Sequence, residues 1–504
     1  MGKLSSVDLF IVIVYLTGIM IFGYRMGKFI KSDSDYFLGG RKLPWWAIGM
    51  SMVVSDIGAL ELVGMAGASY MYGITLANFD WIGCIPAMIV GAFIFIPCYW
   101  RSKVFTIPEF LGLRYNQAVR VLLALIYGVF MAFMMGIFFY TAAKAMNVLM
   151  GWPVYLSIFI VALVVGVYTL FGGLSAVVYT DVIQCIILFI GSITILIIAL
   201  FKVGGWGELM TTVTSMGDQY HHHFELMVPA DTETPYGWAG ILFGLAFVLS
   251  PAYWLGNQAI VQRTMGARSE YEAKKSVLWG AFLKLFIPIM LIGPGLAGIA
   301  LHPGLENGDD IYPILIHDLL PTGLTGLVFA AFLAALMSSV DSYLNSAATL
   351  WTKDIYQKFF NPNQNDRHYM IVGRILTGSF IIIGIVLAPL TERFPSIFGY
   401  MQTMLSIFQG PFLAIIVLGF LWPRANGKGA VAGIILGVLT SSTLFWVKDL
   451  VFTCPNPFLY IAWWSFLAGL IVTIAVSMLT PPEPPEKIKG LLFTGISKDE
   501  KESP

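Results

Sequence analysis

The chain has 504 residues, 58% of them hydrophobic and 12% charged, and its 29 basic and 29 acidic residues cancel at neutral pH. A soluble domain is roughly 45–50% apolar and about 25% charged, so this composition excludes an ordinary water-soluble fold. The zero net charge also removes the electrostatic case for a nucleic-acid partner. A mean hydropathy of +0.79 makes the lipid bilayer the natural solvent.

A helix needs about 20 apolar residues to cross the hydrocarbon, where every backbone group must be satisfied within the protein. Thirteen such stretches follow one another, near 7–24, 46–71, 80–100, 121–149, 153–170, 178–201, 237–262, 277–300, 322–352, 370–390, 396–421, 429–447 and 457–479. The first lacks a strongly basic start and a small-residue cleavage site, and is read as a span rather than a signal peptide. With the N-terminus outside, 23 of the 29 Lys and Arg residues fall on inner segments and 5 on outer ones, with Lys284 inside a span. This is the positive-inside pattern. A missed span would invert the sign of every later loop, so thirteen spans are expected in a plasma or inner membrane, with the C-terminus cytoplasmic. The outer segments near 202–236 and 301–321 are polar, and the run of His221, His222 and His223 reads as a solvated loop rather than a metal site. The tail from Pro481, rich in Pro, Lys and Glu, reads as disordered. Cys84, Cys98, Cys185 and Cys454 form no CxxC motif. No nucleophile–base pair lies within the spans, so an enzyme is not expected.

Ionisable residues inside spans are costly and point to function. Asp80 and Asp181 fall near predicted span ends, within reach of water; Asp56, Glu61, Lys284 and Asp341 lie deeper. The bland reading of Lys284 is a structural ion pair with Glu61. Ser338, Ser339, Asp341 and Ser342 place four oxygen-bearing side chains within about one and a half helical turns, and hard cations take several oxygen ligands. Freed backbone carbonyls could complete such a shell. Ser55-Asp56-Ile57-Gly58 is a poor helix interior, and Pro251 and Gly256 interrupt a later span. Interrupted helices in matching places of two halves point to a transporter's midplane site.

The chain resembles the sodium/solute symporter family, most closely its sodium/sugar branch. The resemblance runs over about 7–480. It is carried by Asp35-Tyr36-Phe37-Leu38-Gly39-Gly40, Leu43-Pro44-Trp45-Trp46, Thr106-Ile107-Pro108-Glu109-Phe110, the run from Phe171 to Gln184, Gln262-Arg263-Thr264, and Asn345-Ser346-Ala347-Ala348-Thr349. It implies an all-α membrane protein with a LeuT-like core of two inverted five-helix repeats, whose first and sixth core helices are broken. The expected division is an extra helix and loop (1–45), a first repeat (46–201), an outer loop (202–236), a second repeat (237–421), two further helices (422–480) and a tail (481–504).

The resemblance also implies a main Na+ site at Val54, Ile57, Ala335, Ser338 and Ser339. A second Na+ would match Asp181, Ser338, Asp341 and Ser342, where Asp341 replaces the usual small or hydroxyl residue. The solute positions would be Glu61, Asp80, Gly83, Ser250, Lys284 and Gln402. Of these only Lys284 and Gln402 keep the sugar-branch pattern. Met65, Phe79 and Phe398 match outer gate positions, and Tyr253, beside Trp254, an inner one. The sialic-acid members use an arginine in the third core helix, and no arginine lies between Leu122 and Ala143. The implied activity is Na+-coupled import of a small polar solute, a neutral sugar or polyol, by a monomer; the alternatives are a carboxylate, an amino acid or a vitamin.

Overall fold

The computed structural model describes residues 5–28, 30, 32–393 and 397–493, and among these there is no β-strand. In chain order the principal helices are α1 (Ser6–Gly27), α2 (Trp45–Asp56), α3 (Ala59–Tyr72), α4 (Phe79–Arg101), α5 (Gln117–Met150), α6 (Val154–Gly166), α7 (Gly173–Val203) and α8 (Gly240–Gly256). They continue with α9 (Gln258–Met265), α10 (Glu270–Lys284), α11 (Ile287–Leu301), α12 (Leu324–Leu350), α13 (Asp366–Leu387), α14 (Ile397–Leu421), α15 (Gly427–Trp446) and α16 (Phe458–Leu479). Among the described residues, ten helical segments are long and apolar enough to cross a bilayer, and the bent pairs α2–α3 and α8–α9 raise this to twelve. The shorter α6 lies within the remaining predicted stretch, 153–170.

Local chemistry explains the boundaries. Ser5 and Asp8 form a reciprocal cap on α1, and Asp8 Oδ1 also accepts the N–H groups of Gly323 and Gly326 at 2.7 and 2.8 Å. The start of α1 is thereby fastened to the start of α12. Gly173, at φ 54° and ψ −172°, kinks the chain between α6 and α7. A Cβ there would stand 2.8 Å from the Tyr36 carbonyl oxygen, so both backbone angle and space require glycine. Helix α12 lies at the centre: every residue from Val328 to Leu350 is buried. It packs on α7, and α1 packs on both. Helix α4 carries two π-helical stretches, Phe79–Cys84 and Gly91–Phe95, and α8 begins with a third, Gly240–Leu249. Such turns are frequent at functional sites.

Four expectations need correction. The second break falls not at Pro251 but directly after Gly256, where the helix ends. The π-helical stretch leads into Pro251 without interrupting the helix, and the chain turns by 48° at Asn257 (φ −69°, ψ 116°), whose side chain caps α9. The 202–236 loop is not simply solvated. His221 is exposed, but His223 is 6% exposed, its carbonyl accepts the Ile74 N–H at 2.7 Å, and the Leu226 carbonyl accepts Asn78 Nδ2 at 2.5 Å. The tail is docked through its described part, to residue 493. Lys487 Nζ donates to the Tyr115 carbonyl, Glu483 Oε1 accepts the Gly427 N–H at 3.0 Å, and Ile488 is buried. Finally, Arg114 and Arg263, counted among inner-loop charges, are buried, at 0% and 1% exposure.

Candidate cation and solute site

The first broken helix builds one half of the site. Helix α2 ends at Asp56; Ile57 (φ −95°, ψ 76°) and Gly58 (φ −78°, ψ −179°) leave the helical region, and α3 resumes at an angle of 55°. In a continuous helix the Gly58 N–H would bond to the Val54 carbonyl. Here it donates to Glu61 Oε2 at 2.8 Å, which caps α3 and leaves the Val54 carbonyl without its helical donor. From α12, Ser339 Oγ donates to the Ser55 carbonyl at 3.0 Å and to the Ala335 carbonyl at 3.3 Å. A Cβ on Gly58 would stand 2.4 Å from Ser339 Oγ, so the glycine permits this approach. Ser338 Oγ lies 2.8 Å from Ser55 Oγ. Val54, Ile57, Ala335, Ser338 and Ser339 therefore meet at one junction, each at most 1% exposed.

Beside this junction lies a second oxygen cluster. Asp181 Oδ2, on α7, accepts Ser51 Oγ at 2.5 Å and Ser55 Oγ at 3.3 Å. Ser342 Oγ lies 2.9 Å from Ser55 Oγ. Arg263 of α9 projects into the cluster. Its Nε donates to Ser51 Oγ and its Nη2 to Ser55 Oγ, both at 2.6 Å; Nη2 also bonds Ser342 Oγ and lies 3.5 Å from Asp181 Oδ2. The oxygens of Asp181 and Ser342 that the resemblance offers to a second Na+ are thus faced by a guanidinium. Asp181 is fully buried, not at a watery span end. The Gln262-Arg263-Thr264 run was the available signal for Arg263, but it carried no indication of depth.

The other half is a cavity of about 70 Å³ between α2–α3, α4, α8, α10 and α14. Lys284, at the end of α10, donates to Asp80 Oδ1 at 2.6 Å and to Asp56 Oδ2. The lysine thereby ties α2, α4 and α10 together, and both Lys284 and Asp80 are at most 3% exposed. Asp80 is not water-accessible as expected, and Glu61 serves α3 as a cap rather than pairing with Lys284. Glu61, Asp80, Ser250, Lys284 and Gln402 all line the cavity, as do Met65, Phe79, Tyr253 and Phe398. A Cβ on Gly83 would stand 2.3 Å from Ser250 Oγ, so Gly83 makes room for that hydroxyl.

Phe79 and Phe398 meet edge-to-face, with ring centroids 5.5 Å apart, and Phe398 is 1% exposed. Tyr253 and Trp254 meet in the same way at 5.8 Å. Gln409 and Tyr343 also line the cavity and were not foreseen. Gln409 lies seven residues beyond Gln402, hence on one helix face, and that spacing in an apolar span was a readable signal. The result is a set of charged and amide groups opposite aromatic walls, beside the Ser339–Ser55 junction.

Residues 36–437 match the family model described as "Sodium:solute symporter family". The sodium/glucose cotransporter of Vibrio parahaemolyticus is 33% identical over 459 residues, covering 86% of this chain and 84% of that protein. The human sodium/myo-inositol cotransporter is 31% identical over 551 residues, covering 97% of this chain and 76% of that protein. Among solved structures, a Na+-coupled sialic acid symporter in a substrate-bound outward-open state superposes with a TM-score of 0.85 at 24% identity, over 95% of this chain and 99% of that one. MhsT in complex with L-phenylalanine superposes with a TM-score of 0.51 at 15% identity, over 85% and 98% of the two chains. These neighbours show the LeuT-like fold. The chain belongs to the sodium:solute symporter family, and it is a multi-pass membrane protein that couples solute transport to Na+ rather than an enzyme.

Proposed function

We propose that this chain imports a neutral sugar or polyol together with Na+ by alternating access. The observation that carries the reading is the state of Lys284. Its ammonium is already held by Asp80 and Asp56, so an anionic solute would have to compete with two carboxylates for it. A polyhydroxyl solute fits this environment better, because each hydroxyl both donates and accepts. Glu61, Asp80 and Gln402 offer acceptors, Lys284 and Gln402 offer donors, and the apolar faces of the solute would lie on the aromatic walls. The glucose and myo-inositol cotransporters among the relatives favour the same solute class.

In this reading Na+ binds at Val54, Ile57, Ala335, Ser338 and Ser339, bridging the broken helix to α12 and ordering the neighbouring cavity. Solute then binds at Glu61, Asp80, Ser250, Lys284 and Gln402. Met65, Phe79 and Phe398 close the outer side, and movement of Tyr253 opens the inner one. The repeats would be 46–201 and 237–421, with the N-terminus outside, the C-terminus cytoplasmic and the monomer as the working unit. Coupling is reciprocal: Na+ must raise solute affinity by the factor by which solute raises Na+ affinity.

The test is uptake into proteoliposomes of labelled galactose, glucose, myo-inositol, sialic acid and proline, with and without an inward Na+ gradient. Na+-driven uptake of a neutral sugar or polyol is the expected result. Uptake restricted to sialic acid or proline would overturn the solute assignment.

A further inference from the structure

The break between α8 and α9 is built differently from the break between α2 and α3. In a continuous helix the Leu255 carbonyl would accept the Ala259 N–H, and the Gly256 carbonyl the Ile260 N–H. Here the Ala259 N–H donates to Asn257 Oδ1 at 2.9 Å, and the Ile260 N–H to the Asn257 carbonyl at 3.1 Å. Two carbonyls are thereby released inside the membrane, where each needs a partner from within the protein. Tyrosine hydroxyls from neighbouring helices supply those partners. Tyr99 Oη, on α4, donates to the Leu255 carbonyl at 3.0 Å, and Tyr127 Oη, on α5, to the Gly256 carbonyl at 3.1 Å. A third tyrosine, Tyr343 on α12, takes the side chain at the bend itself: Asn257 Nδ2 donates to its hydroxyl oxygen at 3.2 Å. Tyr99, Tyr127, Tyr343 and Asn257 are each at most 8% exposed.

The two breaks therefore suit different tasks. The first leaves the Val54 carbonyl without its helical donor, beside the hydroxyls of α12. The second has its released carbonyls bonded by the protein's own side chains, which suits a hinge rather than an ion site. Of the three tyrosines at this hinge, Tyr343 also belongs to the helix of the cation junction. It lies four residues after Ser339, hence on the same face of α12, and Ser339 Oγ holds the Ser55 carbonyl. The Tyr343 hydroxyl is approached by that of Tyr253 as well, and both tyrosines line the cavity. The Phe138 ring packs edge-to-face on Tyr343 at 5.3 Å and holds the ring in place. One helix thus carries a hydroxyl at the cation junction and, one turn later, a hydroxyl at the hinge.

We propose that Tyr343 is a positioning residue that keeps the inner gate shut while Na+ occupies the junction, so that Na+ alone does not cross. With the ion in place α12 is held against α2, and Tyr343 holds Asn257 and, through it, the bend between α8 and α9. Release of α12 from the junction carries Tyr343 away from Asn257, and α8 turns about the bend to move Tyr253 aside. This role rests on the Na+-symport reading and adds the mechanical link between the ion and the gate.

The experiment is entry of radiolabelled Na+ into proteoliposomes, with and without galactose, glucose or myo-inositol outside, alongside entry of the same labelled solutes. In wild type, Na+ entry without solute is expected to be small and to rise several-fold with a transported solute. Tyr343→Phe keeps the ring against Phe138 and removes only the hydroxyl. It is expected to raise solute-free Na+ entry several-fold and to lower Na+-driven solute accumulation several-fold, with the half-saturating solute concentration little changed. Asn257→Ser keeps an oxygen to cap α9 but has no amide to reach Tyr343. It is expected to leak Na+ in the same way, and it keeps the test decisive if Tyr343→Phe fails to fold. Tyr99→Phe removes a hydroxyl from the same hinge without touching α12. It is expected to lower the thermal midpoint of the detergent-solubilised protein while solute-free Na+ entry stays at the wild-type level. Wild-type solute-free Na+ entry in either Tyr343→Phe or Asn257→Ser, or a leak of equal size in Tyr99→Phe, would overturn the role of Tyr343 while leaving Na+ symport standing. Absence of Na+-driven uptake of every solute by wild type would instead overturn the symport reading on which the role rests.

Discussion

Ser339 and Ser55 are 284 positions apart in sequence, yet the Ser339 hydroxyl donates to the Ser55 carbonyl at 3.0 Å. This bond joins α12 to the last turn of α2, next to the carbonyl that the break sets free. A Na+ at this junction would draw on the same hydroxyl. Ser339→Ala removes a ligand and the junction's own bond together. Hydrogen bonds involving a charged group contribute about 1.5–3 kcal/mol, and about 1.4 kcal/mol is tenfold in affinity. The half-activating Na+ concentration for uptake should therefore rise about tenfold or more, with protein abundance unchanged. Wild-type Na+ activation in this variant would remove Ser339 from the site.

Gln402 lies on the cavity wall, on α14, and is not among the residues of the Ser339–Ser55 junction. Gln402→Ala should weaken solute binding by the net value of one or two neutral hydrogen bonds, about 0.5–1.5 kcal/mol each. The solute concentration for half-maximal uptake should rise roughly two- to hundred-fold. Na+ activation, measured at saturating solute, should stay within about twofold. An equal shift in both would mean that Gln402 acts on the coupling between the sites rather than on the solute.

Lys284 is bonded to Asp80 and Asp56, and all three groups line the cavity. Breaking a buried pair by removing one partner typically costs about 3–5 kcal/mol, because the remaining charge is stranded. Lys284→Met strands two. It should abolish uptake and markedly lower the thermal midpoint of the detergent-solubilised protein. Asp56→Asn leaves Lys284 paired with Asp80 and should lower that midpoint less. If the two variants melt together at the wild-type temperature, water reaches these groups and the pairs are not structural.

Much of this architecture was legible because lipid imposes a simple rule on the sequence. Apolar runs of about 20 residues mark the spans, and Ser55-Asp56-Ile57-Gly58 marked the first break through residues that compete with helical bonding. Of the two signals for the second break, Gly256 ends the helix, whereas the chain passes through Pro251 from a π-helical stretch that composition does not encode. The partners of Lys284 lie 204 and 228 positions away, and no periodicity connects them. Arg263 was the hardest to read. In sequence it is one more basic residue at the inner end of a span, and only the tertiary fold turns its guanidinium towards Ser51, Ser55 and Asp181. The docking of the tail around Lys487 is likewise tertiary, since its composition is that of a solvated segment.

The loop at 202–236 should respond to pH through His223. Its side chain is buried against α3 and the Tyr220 ring, with ring centroids 4.9 Å apart, and Nε2 lies 3.4 Å from the Tyr70 carbonyl. Burial lowers the imidazole's pKa below its ordinary value of 6.5, and the neighbouring His222 lowers it further; the backbone carbonyls of Tyr70 and Met71 oppose this. A histidine whose folded pKa is depressed binds fewer protons folded than unfolded. The docked loop is therefore at full strength above about pH 6.5 and weakens as pH falls from there towards the folded pKa. The His223 carbonyl holds the Ile74 N–H, and the Leu226 carbonyl holds Asn78, directly before Phe79, the proposed outer gate residue. Acidification to about pH 5.5 should thus loosen the loop where it holds Ile74 and Asn78. Limited proteolysis within 202–236 should be faster at pH 5.5 than at pH 7.5, and His223→Gln should remove most of that difference. Equal cleavage rates for wild type at the two pH values would show that the loop's attachment does not depend on a neutral His223.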